Sequence, residues 1–242
     1  MKKVIALVAT AVVAVSMVCA QVTVGAKGTF GMNLGSTLTD EGKAVATMGY
    51  PIDTSNKVVV GGGGSIYGRY NMPFHAPLGV QLELGIFANN GVALEADDPI
   101  EDDYVGKINV TANASSTYLS MDIPLIVTYD ISAGPVVITP MVGMNFSIPL
   151  GKLKYKTEYT AKIEGYGEEK EEFTEELDID PRFIPGIVAG VEVGLPLGPG
   201  SLVADLRYVN DFTNVTIASE GESMELFTRR NFNISVGYAL KF

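Results

Sequence analysis

Eight segments alternate apolar and polar residues with a period of two. The connections between them alternate short and long, and the apolar face of each segment is free of charge. These observations predict an all-β fold: an eight-stranded antiparallel up-and-down transmembrane β-barrel with short periplasmic turns and long extracellular loops. The chain has 242 residues and a formal net charge of −11, which excludes the basic face that a nucleic-acid partner requires. A single His and a single Cys exclude a Cys/His zinc site and leave little for His-dependent catalysis. No stretch after Gln21 approaches the roughly 18 apolar residues of a transmembrane helix.

The first segment reads as a processing signal. Met1-Lys2-Lys3 is positive, Val4 to Val15 is an apolar run too short to span a bilayer, and Val18-Cys19-Ala20 precedes Gln21. Cleavage is expected after Ala20, so that 1–20 is a signal peptide and 21–242 a single barrel domain without cysteine. A lipoprotein reading through Cys19 would need a small residue where Val18 stands.

The strand signals follow in order. In 22–35, Val22, Val24, Ala26, Phe30, Met32 and Leu34 alternate with Thr23, Lys27, Thr29 and Asn33. In 58–70, Val58, Val60, Ile66 and Tyr70 oppose Ser65 and Arg69, and in 78–87, Leu78, Val80, Leu82, Leu84 and Ile86 oppose Gln81 and Glu83. The 117–129 segment sets Leu119 to Tyr129 against Ser120, Asp122 and Thr128, and 136–148 sets Val136 to Ile148 against Thr139, Asn145 and Ser147. Glu192 interrupts the apolar series of 183–195; Asp205, Arg207 and Asp211 that of 201–212; Asn231, Asn233, Ser235 and Lys241 that of 230–242.

Alternation alone allows a soluble barrel with its apolar face inward. Three features favour the membrane. The mixed face is rich in Gly and small polar residues, which suits a narrow interior. The connections at 36–57, 88–116, 149–182 and 213–229 are long and those at 71–77, 130–135 and 196–200 short. Apolar-face aromatics gather toward the strand ends: Phe30, Phe146, Phe183, Phe212 and Phe232 at one rim, and Tyr70, Tyr129, Tyr238 and Phe242 at the other. Pro140 and Pro185 each remove a ladder donor and could open the wall laterally, while Gly61 to Gly64 marks tight curvature rather than a phosphate cradle.

Two stretches carry a family resemblance. Tyr118-Leu119-Ser120-Met121-Asp122-Ile123-Pro124-Leu125-Ile126-Val127-Thr128-Tyr129 resembles a central strand of the small eight-stranded outer-membrane barrels of the OmpX and OmpW type. Val236-Gly237-Tyr238-Ala239-Leu240-Lys241-Phe242 resembles their C-terminal assembly signal, with Tyr238, Leu240 and Phe242 as its apolar positions. The resemblance implies residence in the outer membrane, contact with its lipid, and delivery by the barrel-assembly machinery. It leaves function open among adhesins, resistance proteins, narrow pores and lipid-modifying enzymes.

Charge separates wall from loops. Glu83, Asp122, Asp130, Glu192, Asp205 and Asp211 are balanced by Lys27, Arg69, Arg207, Arg229, Arg230 and Lys241, so most of the 28 acidic residues fall in the long connections. Unpaired charge in a dry lumen is costly, so Lys27, Arg69, Arg207 and Lys241 are expected to pair with Glu83, Asp122, Glu192 and Asp205. Side chains fill an eight-stranded barrel, which makes a filled core the expectation and a polar conduction path the alternative. The acidic run Asp97-Asp98 with Glu101-Asp102-Asp103 lacks the spacing of a calcium loop, and no metal site or cofactor is assigned. His75 lies in a turn flanked by Pro73 and Pro77, and no nucleophile and base stand out, so an enzyme is not expected.

The connection 149–182 continues the alternation through Leu153, Tyr155, Thr157, Tyr159, Ala161 and Ile163. It predicts a projecting hairpin folded about Tyr166, with Lys156 opposite Glu176, Lys154 opposite Asp178 and Lys152 opposite Asp180. Tyr155, Tyr159 and Phe173 are its candidate partner-binding residues. The expected protein is a monomeric, non-enzymatic surface barrel that meets an extracellular partner through acidic loops. A narrow channel for small solutes is the alternative.

Overall fold

The computed structural model describes residues 22–34, 36–46, 54–72, 77–102, 106–163, 167–180, 183–219 and 222–242. The expected signal segment 1–20, His75, Asp103 and Tyr166 lie outside the described residues, as do the side chains of Asp97, Asp98, Glu101 and Asp102. The elements are β1 (Val22–Asn33), β2 (Thr37–Leu38), α1 (Asp40–Ala46), β3 (Thr54–Lys57), β4 (Val59–Asn71), β5 (Leu78–Asp102), β6 (Gly106–Asp122), β7 (Leu125–Tyr129) and β8 (Ile131–Ala133). They continue with β9 (Val136–Ile163), β10 (Gly167–Asp178), β11 (Ile184–Leu197), β12 (Gly200–Asp211), β13 (Val215–Ser219), β14 (Glu222–Thr228) and β15 (Arg230–Lys241).

Eight strands close a ring. β1 pairs with β4, β4 with β5, β5 with β6 and β7, these with β9, then β9 with β11, β11 with β12, β12 with β15, and β15 with β1, all antiparallel. β6 and β7 act as one wall strand broken at Ile123-Pro124, where Pro124 has no N–H to donate. The ladder continues across the break, since Ile123 and Phe146 exchange backbone hydrogen bonds and Glu83 N–H donates to Pro124 O. Pro140 and Pro185 open no such break: Val191 pairs with Pro140 and Pro185 with Phe146 inside one continuous β9–β11 register.

The ring sorts its side chains as a bilayer demands. Leu82, Leu84, Ile86, Val127, Val142, Val193, Leu206 and Val236 point outward and are exposed, whereas Lys27, Arg69, Glu83, Glu192, Asp205 and Arg207 point inward and are buried. Phe30, Phe183, Phe212 and Phe232 ring one end of the outer face and Tyr70, Tyr129, Tyr238 and Phe242 the other, all exposed. From Phe232 to Phe242 the strand covers about 34 Å. A tilt of about 40° turns that into a band about 25 Å tall, the height of a membrane-spanning girdle.

Above the band the polarity inverts. On β5, Ile86 is 53% exposed, yet Val92 and Leu94, in the same sequence phase, are buried inside. A one-residue bulge makes the switch: Phe87 faces Ser120 and the next pair is Asn90 with Tyr118, with Asn89 held at φ 58°. On β9 the sequence itself changes phase, from Ile148 and Leu150 to Leu153, across Gly151 at φ 78°. The now apolar inner face packs on a cap. Val92, Tyr118, Leu153 and Ile184 from the wall meet Ile179, Val215, Ile217, Leu226 and Phe227.

The long connections hold more structure than open loops. Most of 88–116 is strand, because β5 and β6 pair out to Asp102 and Gly106, and the hairpin expected in 149–182 is made by β9 and β10, paired out to Ile163 and Gly167. The segments 36–57 and 213–229 hold α1 and a small sheet in the order β13-β14-β2, which forms the cap. The hairpin forms, but its register is two residues from the one expected. Lys156 faces Thr174, Lys154 faces Glu176 and Lys152 faces Asp178, a register symmetric about position 165 and not 166.

Introducing Leu84→Arg into the middle of the outer band will destabilise the folded barrel by about 2–4 kcal/mol, read by urea unfolding in phospholipid vesicles. An unchanged midpoint would place that face in water.

Candidate functional site

The lumen is built from three layers, beginning at the short-turn end. There a cavity of about 130 Å³ is lined by Thr23, Tyr67, Arg69, Asn71, Asp130, Thr139, Glu192 and Lys241, among others. Lys241 sits at its mouth, exposed, and pairs with none of the four carboxylates expected for it. Above the cavity, Arg69 Nε donates to Gln81 Oε1 at 2.6 Å and Arg69 Nη2 to Glu192.

The second layer is a balanced ion-pair cluster. Lys27 Nζ donates to Glu192 Oε2 at 2.6 Å and to Asp205 Oδ2 at 2.7 Å, and lies 3.7 Å from Glu83. Arg207 donates to both oxygens of Glu83, at 2.7 and 2.8 Å, and to Asp205 at 2.9 Å. Gln81 donates to Glu83, and the Tyr67 ring lies 4.4 Å beneath Lys27 Nζ. Three cations meet three carboxylates, and the set links β1, β4, β5, β11 and β12 across the lumen. Glycines leave the room: a Cβ at Gly25 would strike the Tyr67 ring, and one at Gly237 the Lys27 side chain.

The third layer centres on Arg229, which is fully buried. It donates to Asp211 through Nε at 2.8 Å and Nη2 at 3.1 Å, and to Asp122 Oδ2 through Nη1 at 3.1 Å. Ser120 donates to Asp122, Asn90 to Ser120 and Asn231 to Asn90, at 3.0, 2.7 and 2.9 Å. Asp122 therefore belongs to this layer and not to the Lys27 cluster expected for it. Arg229 and Asp211 are absent from the network expected from sequence. The usable signal was phase, since Arg229 shares its parity with the inward-facing Asn231, Asn233 and Ser235. The apolar cap closes the lumen directly above.

The long strands project beyond the cap as a sheet in the order β3-β5-β6-β9-β10. Tyr155 is half-buried against Leu94 and Ala114, Tyr159 faces Ala112 and Glu171, and Phe173 faces Thr157 and is 55% exposed. Lys156 lies 2.6 Å from Glu158 and 3.2 Å from Glu172, Lys170 lies 2.9 Å from Glu168, and Lys152 lies 3.8 Å from Asp178. At the other end Tyr238, Leu240 and Phe242 all point outward on the last strand, and Tyr238 OH donates to Leu197 O at 2.7 Å. Among the described residues no group of three His, Cys, Asp or Glu could hold a metal ion.

A closed ring with an apolar aromatic-edged exterior, an ion-paired lumen and a capped end defines a transmembrane β-barrel. No protein-family model matches the chain and no curated protein matches it. Among solved structures it is similar to the outer membrane protein OprG from Pseudomonas aeruginosa, at 11% identity and TM-score 0.47, over 92% of this chain and 96% of that one. It is also similar to a major outer membrane protein from Thermus thermophilus, at 14% identity and TM-score 0.45, over 91% and 99% of the two chains. Neisserial surface protein A is similar at 13% identity and TM-score 0.34, over 91% and 97%.

Arg229→Met leaves two carboxylates buried without a cation and will cost about 3–5 kcal/mol in urea unfolding, whereas Lys241→Met, at the mouth, will stay within about 0.5 kcal/mol. The projecting hairpin will show a pH window. Hydrogen bonds from Lys156 and Lys170 hold the Glu158 and Glu168 carboxyls below the usual range, and the same bonds raise both lysines. Groups lowered on folding stabilise above their ordinary pKa and lose that contribution as pH falls through the folded value. Raised lysines lose theirs as pH rises through the folded value. Amide protection in β10, read by hydrogen exchange, will therefore fall at both extremes and under high salt, while that of β12 holds.

Proposed function

We propose that the protein is an integral, monomeric outer-membrane β-barrel that acts by displaying its projecting acidic sheet outside the cell, without catalysis and without conduction. The observation that carries this reading is the filled lumen: an ion-pair cluster, an Arg229 layer and an apolar cap are stacked along one axis. Conduction needs a continuous polar path, and the cap supplies none. The free end is stiffened instead, since β5, β6, β9 and β10 run well past the girdle as one paired sheet. In this reading the short-turn end and Phe242 face the periplasm, Tyr238, Leu240 and Phe242 address the assembly machinery, and the segment before Gln21 is removed on export.

A narrow channel is the second reading, favoured by the 130 Å³ polar cavity at the short-turn end. The test is single-channel recording of the refolded barrel in a planar bilayer. Display predicts insertion without discrete steps. Reproducible steps that shift with Arg69→Ala or Glu83→Ala would make the lumen a conduit and overturn it.

A further inference from the structure

The projecting sheet ends in two edges of different character. β3 is four residues long, the usual way to blunt an edge, but β10 is a full twelve-residue strand. β10 pairs with β9 through every residue from Gly167 to Asp178 without a register shift. It contains no proline and no bulge, and it stands at the end of the strand order. Among the described residues, its second row of backbone donors and acceptors is therefore open along the strand, apart from its base, where Ile179 bridges to Ile217.

The side chains on that edge select what can occupy it. On the face that carries exposed Phe173, the neighbours at two-residue steps are Glu169, Glu171 and Glu175. Among the described residues no cation pairs with these three carboxylates. On the opposite face the ion pairs from Lys156 and Lys170 already engage Glu172 and Glu168. A second copy of β10 would set glutamates beside glutamates, and directly opposed like charges oppose pairing. A cationic strand would do the reverse.

We infer that the open edge of β10 accepts an extended basic peptide segment by strand addition, with basic side chains opposite Glu171 and Glu175 and an apolar one between them against Phe173. The pattern follows from strand geometry: residues i, i+2 and i+4 of an added strand share one face. Its sequence form is basic–x–apolar–x–basic, the x positions lying opposite Glu172, already paired with Lys156, and Thr174. Backbone bonds along the edge supply affinity, and the two charges and the exposed Phe173 ring set register and choice. The inference deepens the display reading and rests on it, since the edge must face the outside for such a partner to reach it.

The probe is a fluorescein-labelled twelve-residue peptide with Arg at i and i+4, Val at i+2 and Thr between, titrated by anisotropy against the folded barrel in nanodiscs. Binding should weaken at least tenfold in Glu171→Lys/Glu175→Lys, and similarly when the same peptide is N-methylated at alternate residues, which keeps its charge and blocks its hydrogen-bonding edge. Heat-modifiable mobility on gels checks that the variant is folded, and raising NaCl from 50 to 500 mM in the unaltered protein gives a second reading of the charge contribution. Equal affinity for the N-methylated peptide, or for one with Arg at i and i+3, would reduce the contact to diffuse charge attraction and overturn strand addition. Dimerisation through β10 without peptide would overturn the basic partner in favour of a second copy. Absence of peptide binding by a barrel silent in bilayers would overturn this inference alone, whereas conductance steps would overturn the display reading.

Discussion

Burying charge inside a closed ring is the constraint on which the rest of this molecule depends. A barrel in lipid must turn its apolar side chains outward, which leaves the polar phase of each strand facing a lumen too narrow for bulk water. Lys27, Arg69 and Arg207 are tolerable there because Glu83, Glu192 and Asp205 meet them at hydrogen-bonding distance. Such pairs add little net stability compared with apolar packing, but removing one partner strands the other at high cost. The cluster therefore fixes shear and register: only one alignment of β1, β4, β5, β11 and β12 brings all six groups together.

The same requirement explains the change of polarity above the girdle. Where lipid ends, an outward apolar face would be exposed to water, and an inward polar face would have no reason to persist. The chain solves this twice by different means. On β5 a bulge at Asn89 rotates an unbroken apolar alternation from outside to inside, and on β9 the alternation itself slips between Leu150 and Leu153. Both devices deliver apolar side chains to one cap, and the cap in turn seals the lumen above Arg229.

In the display reading, a sealed lumen leaves function to the strands that continue past it. A paired sheet resists fluctuation better than an irregular loop of the same length, because its backbone groups are already satisfied and its order is shared with the wall. In the same reading, its acidity disfavours pairing between copies and favours a basic partner at its free edge. The protein thus combines an interior closed by balanced charge with an exterior edge left open and unbalanced.

What the sequence by itself determined was the period-two pattern and everything that follows from it locally. The eight wall strands, the inward phase of Lys27, Arg69, Glu83, Glu192, Asp205 and Arg207, the two aromatic rims and the hairpin beyond Ile148 were all legible, because alternation in a strand assigns a face to each residue. What only the tertiary structure decided was which inward residues lie at the same height. Strand tilt and shear set that, so Asp122 meets Arg229 instead of Lys27, and Lys241 is left at the mouth. The hairpin register was likewise beyond local reading: a register symmetric about position 165 keeps Lys152 and Lys154 opposite acids, as one about 166 would, and moves only Lys156, to Thr174. A bulge such as the one at Asn89 leaves the alternation of Ile86, Val92 and Leu94 untouched while reversing their environment. Its position is fixed by the cap, and the cap exists only once distant segments have met.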